Sequence, residues 1–262
     1  MDLPTLVAFD FDHTIVDDNT DIVVRKLLPE DQLTDDVQDL YSTSGWTTYM
    51  GKIFELLHKN LIGLKEIEAA IIDIPPTPGF DILLKELHSL GCEIIIISDS
   101  NSLFIDMWLK SKNLDNLISK VYTNPAHISD DGILKINMYH VQDSCELSTI
   151  NLCKGRILED HIKERLEKGI QFKRIAYVGD GKNDLCPILR LSKNDLAFAR
   201  VHYPLMKKLN EYNMYENGTP YASLLFYMIA EKTYFSKSAT FQIPITVNIP
   251  KIVRSSSFYK IL

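Results

Sequence analysis

The chain has 262 residues, with 28 Lys and Arg against 35 Asp and Glu and a net charge of -7. That acidic balance argues against a nucleic-acid partner held through phosphate contacts. A hydrophobic fraction of 45% and a charged fraction of 24% are those of an ordinary globular protein. No apolar stretch approaches the roughly 18 to 20 residues of a membrane span. The N-terminal residues carry Asp2 and no basic run, so no secretory signal is expected. Cys92, Cys145, Cys153 and Cys186 lie far apart without a CxxC pair. They read as reduced thiols of a cytoplasmic protein rather than as a disulfide framework or a zinc site.

In chain order, the first element is the apolar run Leu6 to Phe9, which ends abruptly in Asp10-Phe11-Asp12-His13-Thr14. This is the pattern of a buried strand that delivers acids to its carboxyl end, where open α/β sheets bind ligands. Alternation points Asp10 and Asp12 to the same side. Two neighbouring carboxylates repel unless a cation or a shared proton reconciles them, and a hard ion such as Mg2+ suits an oxygen-rich site.

Residues 18–73 hold no strand candidate but show helical periodicity over Asp21 to Leu28, Trp46 to His58 and Leu64 to Ile72. Asn19 or Thr20 is placed to cap the first of these, and Pro75-Pro76 closes the segment. A helical insertion directly after the first strand reads as a lid over a site. A helix is then expected from Pro78 to Leu90, followed by a strand over Glu93 to Ile97 that ends in Ser98-Asp99-Ser100-Asn101. Next come a helix over Ser102 to Leu109, a short strand over Lys120 to Thr123, and a hairpin within Ile128 to Met138 at Asp131-Gly132. A helix over Lys154 to Lys168 precedes the strand Arg174 to Val178, which ends in Gly179-Asp180-Gly181-Lys182-Asn183-Asp184. Asp195 to Ala199 is a last short strand.

Strand runs without alternation imply burial on both faces. The expected fold is therefore a doubly wound, parallel-sheet (Rossmann-like) α/β core with a small all-helical cap inserted after the first strand. Residues 1–17 and 74–236 form the core, 18–73 the cap, and 237–262 an extension that reads equally as an edge strand or a tail.

Three strand ends thus offer polar groups: Asp10 with Asp12, Ser98, and Asp180 with Asp184, with Lys154 upstream of the last pair. Together they supply a carboxylate nucleophile, a neighbouring acid, hydroxyl and ammonium donors, and carboxylates for a metal. Those are the components of phosphoryl transfer through an aspartyl-phosphate.

The chain resembles the haloacid dehalogenase superfamily of phosphatases, whose first motif has the form DxDxT. Within it, the chain is similar to the branch of phosphoethanolamine/phosphocholine phosphatase and pyridoxal-phosphate phosphatase. The similarity rests on Phe9 to Asp21, Trp46 to Gly51, Ile97 to Ser102, Asn151 to Lys154 and Gly179 to Pro187. Ser98 to Asn101 and Phe104-Ile105-Asp106 lean toward the pyridoxal-phosphate side.

The resemblance implies Asp10 as nucleophile and Asp12 as the acid that protonates the leaving alkoxide and then activates water. It implies Mg2+ held by the Asp10 side chain, the Asp12 carbonyl and Asp180, with Asp184 on a metal-bound water and Asn183 supporting the loop. Ser98 and Lys154 would bind the phosphoryl oxygens and Thr14 would position the site. Positions matching Asp21 and Asp99 are associated with the cationic part of amine substrates. Relatives can carry a Cys-x-x-Cys-Pro element where this chain reads Glu146-Leu147-Ser148-Thr149-Ile150.

Trp46, Tyr49 and Met50 suit either core packing or a platform for a substrate ring. His13 is expected to point away from phosphorus, and Cys186 to pack as a small apolar group. A phospho-aspartate receiver is the rival reading, but it has no use for Asp12 or for a lid. The expectation is a cytoplasmic, Mg2+-dependent phosphomonoesterase acting on a small phosphate monoester, pyridoxal phosphate first and phosphoethanolamine or phosphocholine as the alternative. Oligomeric state is not readable from these residues.

Overall fold

The computed structural model describes residues 3–215, so the expected extension at 237–262 lies outside the described residues. Strand β1 (Thr5–Phe9) pairs in parallel with both β2 (Glu93–Asn101) and β6 (Arg174–Gly179). Strand β3 (Lys120–Asn124) lies beyond β2 and β7 (Leu196–Ala199) beyond β6, giving a five-stranded parallel sheet in the order β3-β2-β1-β6-β7. Chain order reverses beside β1, which is the switch point where such sheets open a crevice.

The unbroken apolar runs feed two cores. Val7, Phe9, Ile94 and Ile96 face one side of the sheet, with α3 (Trp46–Lys59), α4 (Leu64–Ile72), α5 (Phe80–Ser89) and α6 (Ser102–Ser111) contributing to that core. Leu6, Ala8, Ile95, Ile97 and Tyr177 face the other, packed with α7 (Lys154–Glu167), α8 (Leu185–Ile188) and α9 (Pro204–Tyr215). Alternate residues of one strand serve opposite layers, so neither face can be polar.

Between β1 and α5 the chain forms α1 (Thr20–Arg25), α2 (Asp35–Ser44), α3 and α4, and no strand. The Asn19 side chain caps α1 by accepting from Ile22 N at 3.0 Å. Helix α2 was not expected from its sequence; Gly45, at φ 85°, separates it from α3. The segment leaves and returns side by side, since Val16 bridges Pro76 and Asp17 N donates to Pro75 O at 2.9 Å. Met50, Ile53, Phe54, Ile67 and Ile71 are buried in the same core as Phe9 and Trp108.

The expected hairpin is present, shifted toward the N-terminus: β4 (Ala126–Ile128) pairs antiparallel with β5 (Leu134–Ile136), and Gly132 takes the left-handed turn position at φ 82°. Strand β2 runs past Ile97 to Asn101 through an irregularity in its register with β3. No helix among the described residues is long and apolar enough to cross a membrane.

Candidate active site

Three strand ends and one helix start converge on a buried group of charges. Asp10 follows β1 directly, and its amide still donates to Val178 O at 2.9 Å, so the carboxylate is held at the sheet edge. Asp10 Oδ1 accepts from Phe11 N at 2.6 Å. A turn at Leu152, whose φ of 56° lies in the left-handed region, brings Lys154 to the first position of α7. Lys154 Nζ lies 2.7 Å from Asp10 Oδ2 and 2.8 Å from Asp184 Oδ1, with all three side chains buried.

The loop after β6 wraps around Asp184. Its Oδ2 accepts from Asp180 N at 3.0 Å and Gly181 N at 2.8 Å, while Oδ1 also accepts from Tyr177 Oη at 2.8 Å. A Cβ on Gly179 would strike the Asp184 carboxylate, so this turn requires glycine there. Asn183 Nδ2 donates to Asp99 Oδ2 at 2.5 Å and ties the loop to the end of β2.

Carboxylate oxygens of Asp10, Asp180 and Asp184 lie within 4.8 Å of one another. Burial and the two neighbouring aspartates raise the Asp10 pKa well above its ordinary value, although Lys154 opposes them. Burial, then Asp184, pushes Asp180 up to about 7, with Lys154 and Arg200 working against the rise. Burial alone would lower the Lys154 pKa, but Asp10, Asp184 and Asp99 outweigh it and hold the ammonium charged. Three acids facing one ammonium leave surplus negative charge among oxygen donors, which fits a hard divalent cation.

Asp12 sits beside this group, its Oδ1 accepting from Thr20 N at 2.9 Å. Burial raises its pKa to about 8, helped by Asp21 and opposed by the Thr20 bonds. Asp21 is itself 2% exposed, and Trp46 Nε1 donates to its Oδ2 at 2.6 Å. Burial lifts Asp21 to about 7. Trp46 lies 5.3 Å from Tyr49 and 5.5 Å from Tyr41, ring centre to ring centre, which forms an aromatic group at the start of α3. Ser98 is buried with its Oγ accepting from Ser100 N at 3.2 Å. Ser100 Oγ in turn meets Thr20 Oγ1 at 2.8 Å.

The structure thus gathers Asp10, Asp12, Asp21, Asp99, Lys154, Asp180, Asn183 and Asp184 through direct bonds or mutual fields, with Thr14 and Ser98 buried among them. Met50 belongs to the core and not to the aromatic group. His13 packs against Tyr203, with ring centres 5.4 Å apart. Sequence reasoning missed the Tyr177 hydroxyl, whose signal was one polar-tipped residue inside an apolar run. It also missed Asn124 and Asn151: Asn124 Nδ2 holds Asp99 O at 2.7 Å, and Asn151 Nδ2 bonds Asn124 Oδ1 at 2.8 Å and Thr47 Oγ1 of α3 at 3.2 Å. A single asparagine at a strand end, such as Asn124, or in a loop, such as Asn151, carries no periodic signal that marks such a role.

Residues 5–224 match the family described as "Putative Phosphatase", and the chain belongs to that family, a branch of the haloacid dehalogenase superfamily of phosphatases. It is a phosphatase, which removes the receiver reading. Its sequence is similar to Pyridoxal phosphate phosphatase PHOSPHO2 of Bos taurus, 40% identical over 222 residues that cover 83% of this chain and 90% of the relative. It is also similar to the phosphoethanolamine/phosphocholine phosphatase of Homo sapiens, at 32% identity over 84% of this chain and 83% of that one. A solved substrate-bound phosphoserine phosphatase shares the fold with a TM-score of 0.52 at 21% identity, over 79% of this chain and 91% of that chain.

Proposed function

We propose that the chain is a cytoplasmic, Mg2+-dependent phosphomonoesterase that works through an aspartyl-phosphate on Asp10, with pyridoxal phosphate as substrate. The observation that carries this is Asp10 fixed between Phe11 N and Lys154, beside an Asp12 whose carboxyl burial pushes up to about 8. Asp10 attacks phosphorus as the ester P–O bond breaks, and Asp12 gives its proton to the leaving alkoxide. The Asp12 carboxylate then takes a proton from water, which attacks the phosphoryl group, frees phosphate and restores Asp10. Lys154 and the Ser98 hydroxyl offset charge on the phosphoryl oxygens, and Thr14 positions them.

Asp10, Asp180 and the Asp12 carbonyl would hold Mg2+, with Asp184 and Asn183 orienting that loop, and the bound ion would supply positive charge toward the phosphate. The α1–α4 segment serves as the cap over residues 18–73, and the described residues on either side of it, 3–17 and 74–215, as the catalytic core; the rest of the expected core, 1–2 and 216–236, lies outside the described residues. Four free cysteines suit a reducing compartment.

The substrate reading is supported by the higher similarity to the proteins named for pyridoxal phosphate and by the Tyr41-Trp46-Tyr49 group beside Asp21, whose rings meet edge-to-face or tilted and offer apolar contact. Buried Asp21 and half-buried Asp99, two acids near an anion site, favour the second reading of a cationic phosphoethanolamine or phosphocholine substrate. Parallel kcat/KM values for the three compounds, with Mg2+ and with EDTA, test both. A hundredfold preference, about 2.7 kcal/mol in transition-state binding, decides between them. Hydrolysis that persists in EDTA overturns the metal requirement.

A further inference from the structure

We propose that Cys145, Cys153 and Cys186 form a second metal site, for zinc, behind the carboxylate cluster. Cys145 Sγ lies 3.4 Å from Cys186 Sγ, and Cys153 Sγ lies 3.7 Å from it. One sulfur from each residue falls within a common 4.8 Å span. These separations are too long for a disulfide, near 2.05 Å. They approach the edge of a tetrahedron of sulfurs around zinc, about 3.8 Å for Zn–S bonds of about 2.3 Å.

The surroundings favour thiolates. Ser148 Oγ donates to Cys145 Sγ at 3.4 Å and Arg190 Nη2 to Cys153 Sγ at 3.7 Å. Three thiolates around Zn2+ carry one net negative charge, and the Arg190 guanidinium beside them offsets it. The thiol protons go to solvent on binding. Cys153 and Cys186 are buried while Cys145 is half-buried, so the remaining coordination position opens toward the 145–151 loop, where water or the Ser148 hydroxyl completes it. Helix α7 passes close: a Cβ on Gly155 would come within 2.6 Å of Cys186 Sγ and 2.5 Å of Arg190 Nε. Soft sulfur donors select zinc over Mg2+, so the two sites do not compete.

The metal joins Cys153, next to Lys154, to Cys186, two positions after Asp184. It fixes the two segments that carry the buried ion pair, and its role is positioning.

Metal-free, reduced protein titrated with Co2+ tests this. One equivalent is expected to give an intense near-ultraviolet thiolate-to-cobalt band that Zn2+ bleaches, that is lost in Cys145→Ser, and that persists in Asp180→Asn. Ser148→Ala is expected to weaken Co2+ binding by about tenfold to a hundredfold. No band with stoichiometric Co2+ overturns the proposal, as does a band that survives Cys145→Ser or vanishes in Asp180→Asn. An unreduced protein two hydrogens lighter, with a disulfide mapped to this trio, overturns it as well. Cys145 is half-buried in a loop, so its variant keeps the test open where Cys186→Ser fails to fold.

Discussion

Two buried clusters hang on the same two stretches of chain, one of carboxylates and one of thiols. Lys154 and Asp184 belong to the first; Cys153 and Cys186, one and two positions away, belong to the second. The first sets three acids around one fully buried ammonium. The second can be neutral, and its cation, Arg190, retains 24% side-chain exposure and a second partner in Glu159. The contrast teaches that the oxygen cluster holds more acids than its one buried ammonium can balance, whereas the cation beside the sulfur cluster is shared with Glu159 and solvent. Catalysis of phosphoryl transfer needs the first kind of site.

Substitutions separate the two. Asp10→Asn is expected to lower kcat by about a thousandfold or more while leaving Co2+ at the sulfurs unaffected. A variant with a tenth of the normal rate would remove Asp10 as nucleophile. Lys154→Met leaves two buried acids without their partner and is expected to cost about 3–5 kcal/mol in urea unfolding without divalent ions. Arg190→Met, at a partly exposed pair, is expected to cost about 1 kcal/mol or less, and equal losses would erase the contrast.

The same charge surplus fixes a pH dependence. Asp12 near 8, with Asp21 and Asp180 near 7, keep protons that the unfolded chain, with carboxyls near 3.9, has released. The folded state therefore binds more protons in that window, and stability falls as pH rises from about 4 to 8. Melting of metal-free protein at pH 5 and at pH 8 is expected to show a drop of several degrees that Mg2+ reduces; a flat profile would mean the acids are solvated. A further effect is on specificity. Asp99→Ala should lower kcat/KM for phosphoethanolamine and phosphocholine about tenfold more than for p-nitrophenyl phosphate, near 1.4 kcal/mol. Equal losses on all three would leave Asp99 with only its bond to Asn183.

The parallel core was legible because burial on both faces leaves unbroken apolar runs, as in Leu6 to Phe9 and Ile94 to Ile97. The acids were legible because they stand where those runs stop. Helix α2 was not, since Asp35 to Ser44 is mostly polar and only Val37 among its described side chains is buried. The thiol cluster was invisible for another reason. Its members come from a loop, the residue before α7 and helix α8, so linear spacing carries no trace of their meeting. The Asn124–Asn151 link from Asp99 to α3 has the same origin.

The paired exit and return at Val16 and Pro76 has a consequence for how such a chain can change. Asp17 and Pro75 are one hydrogen bond apart, so the points of exit and return are fixed whatever length of chain lies between them. Closing a longer or shorter excursion there alters the entropy by only about 0.6 kcal/mol per doubling. Excursions of other lengths can therefore leave and return by that doorway, provided they cover the core face that Met50, Ile53, Phe54, Ile67 and Ile71 cover here.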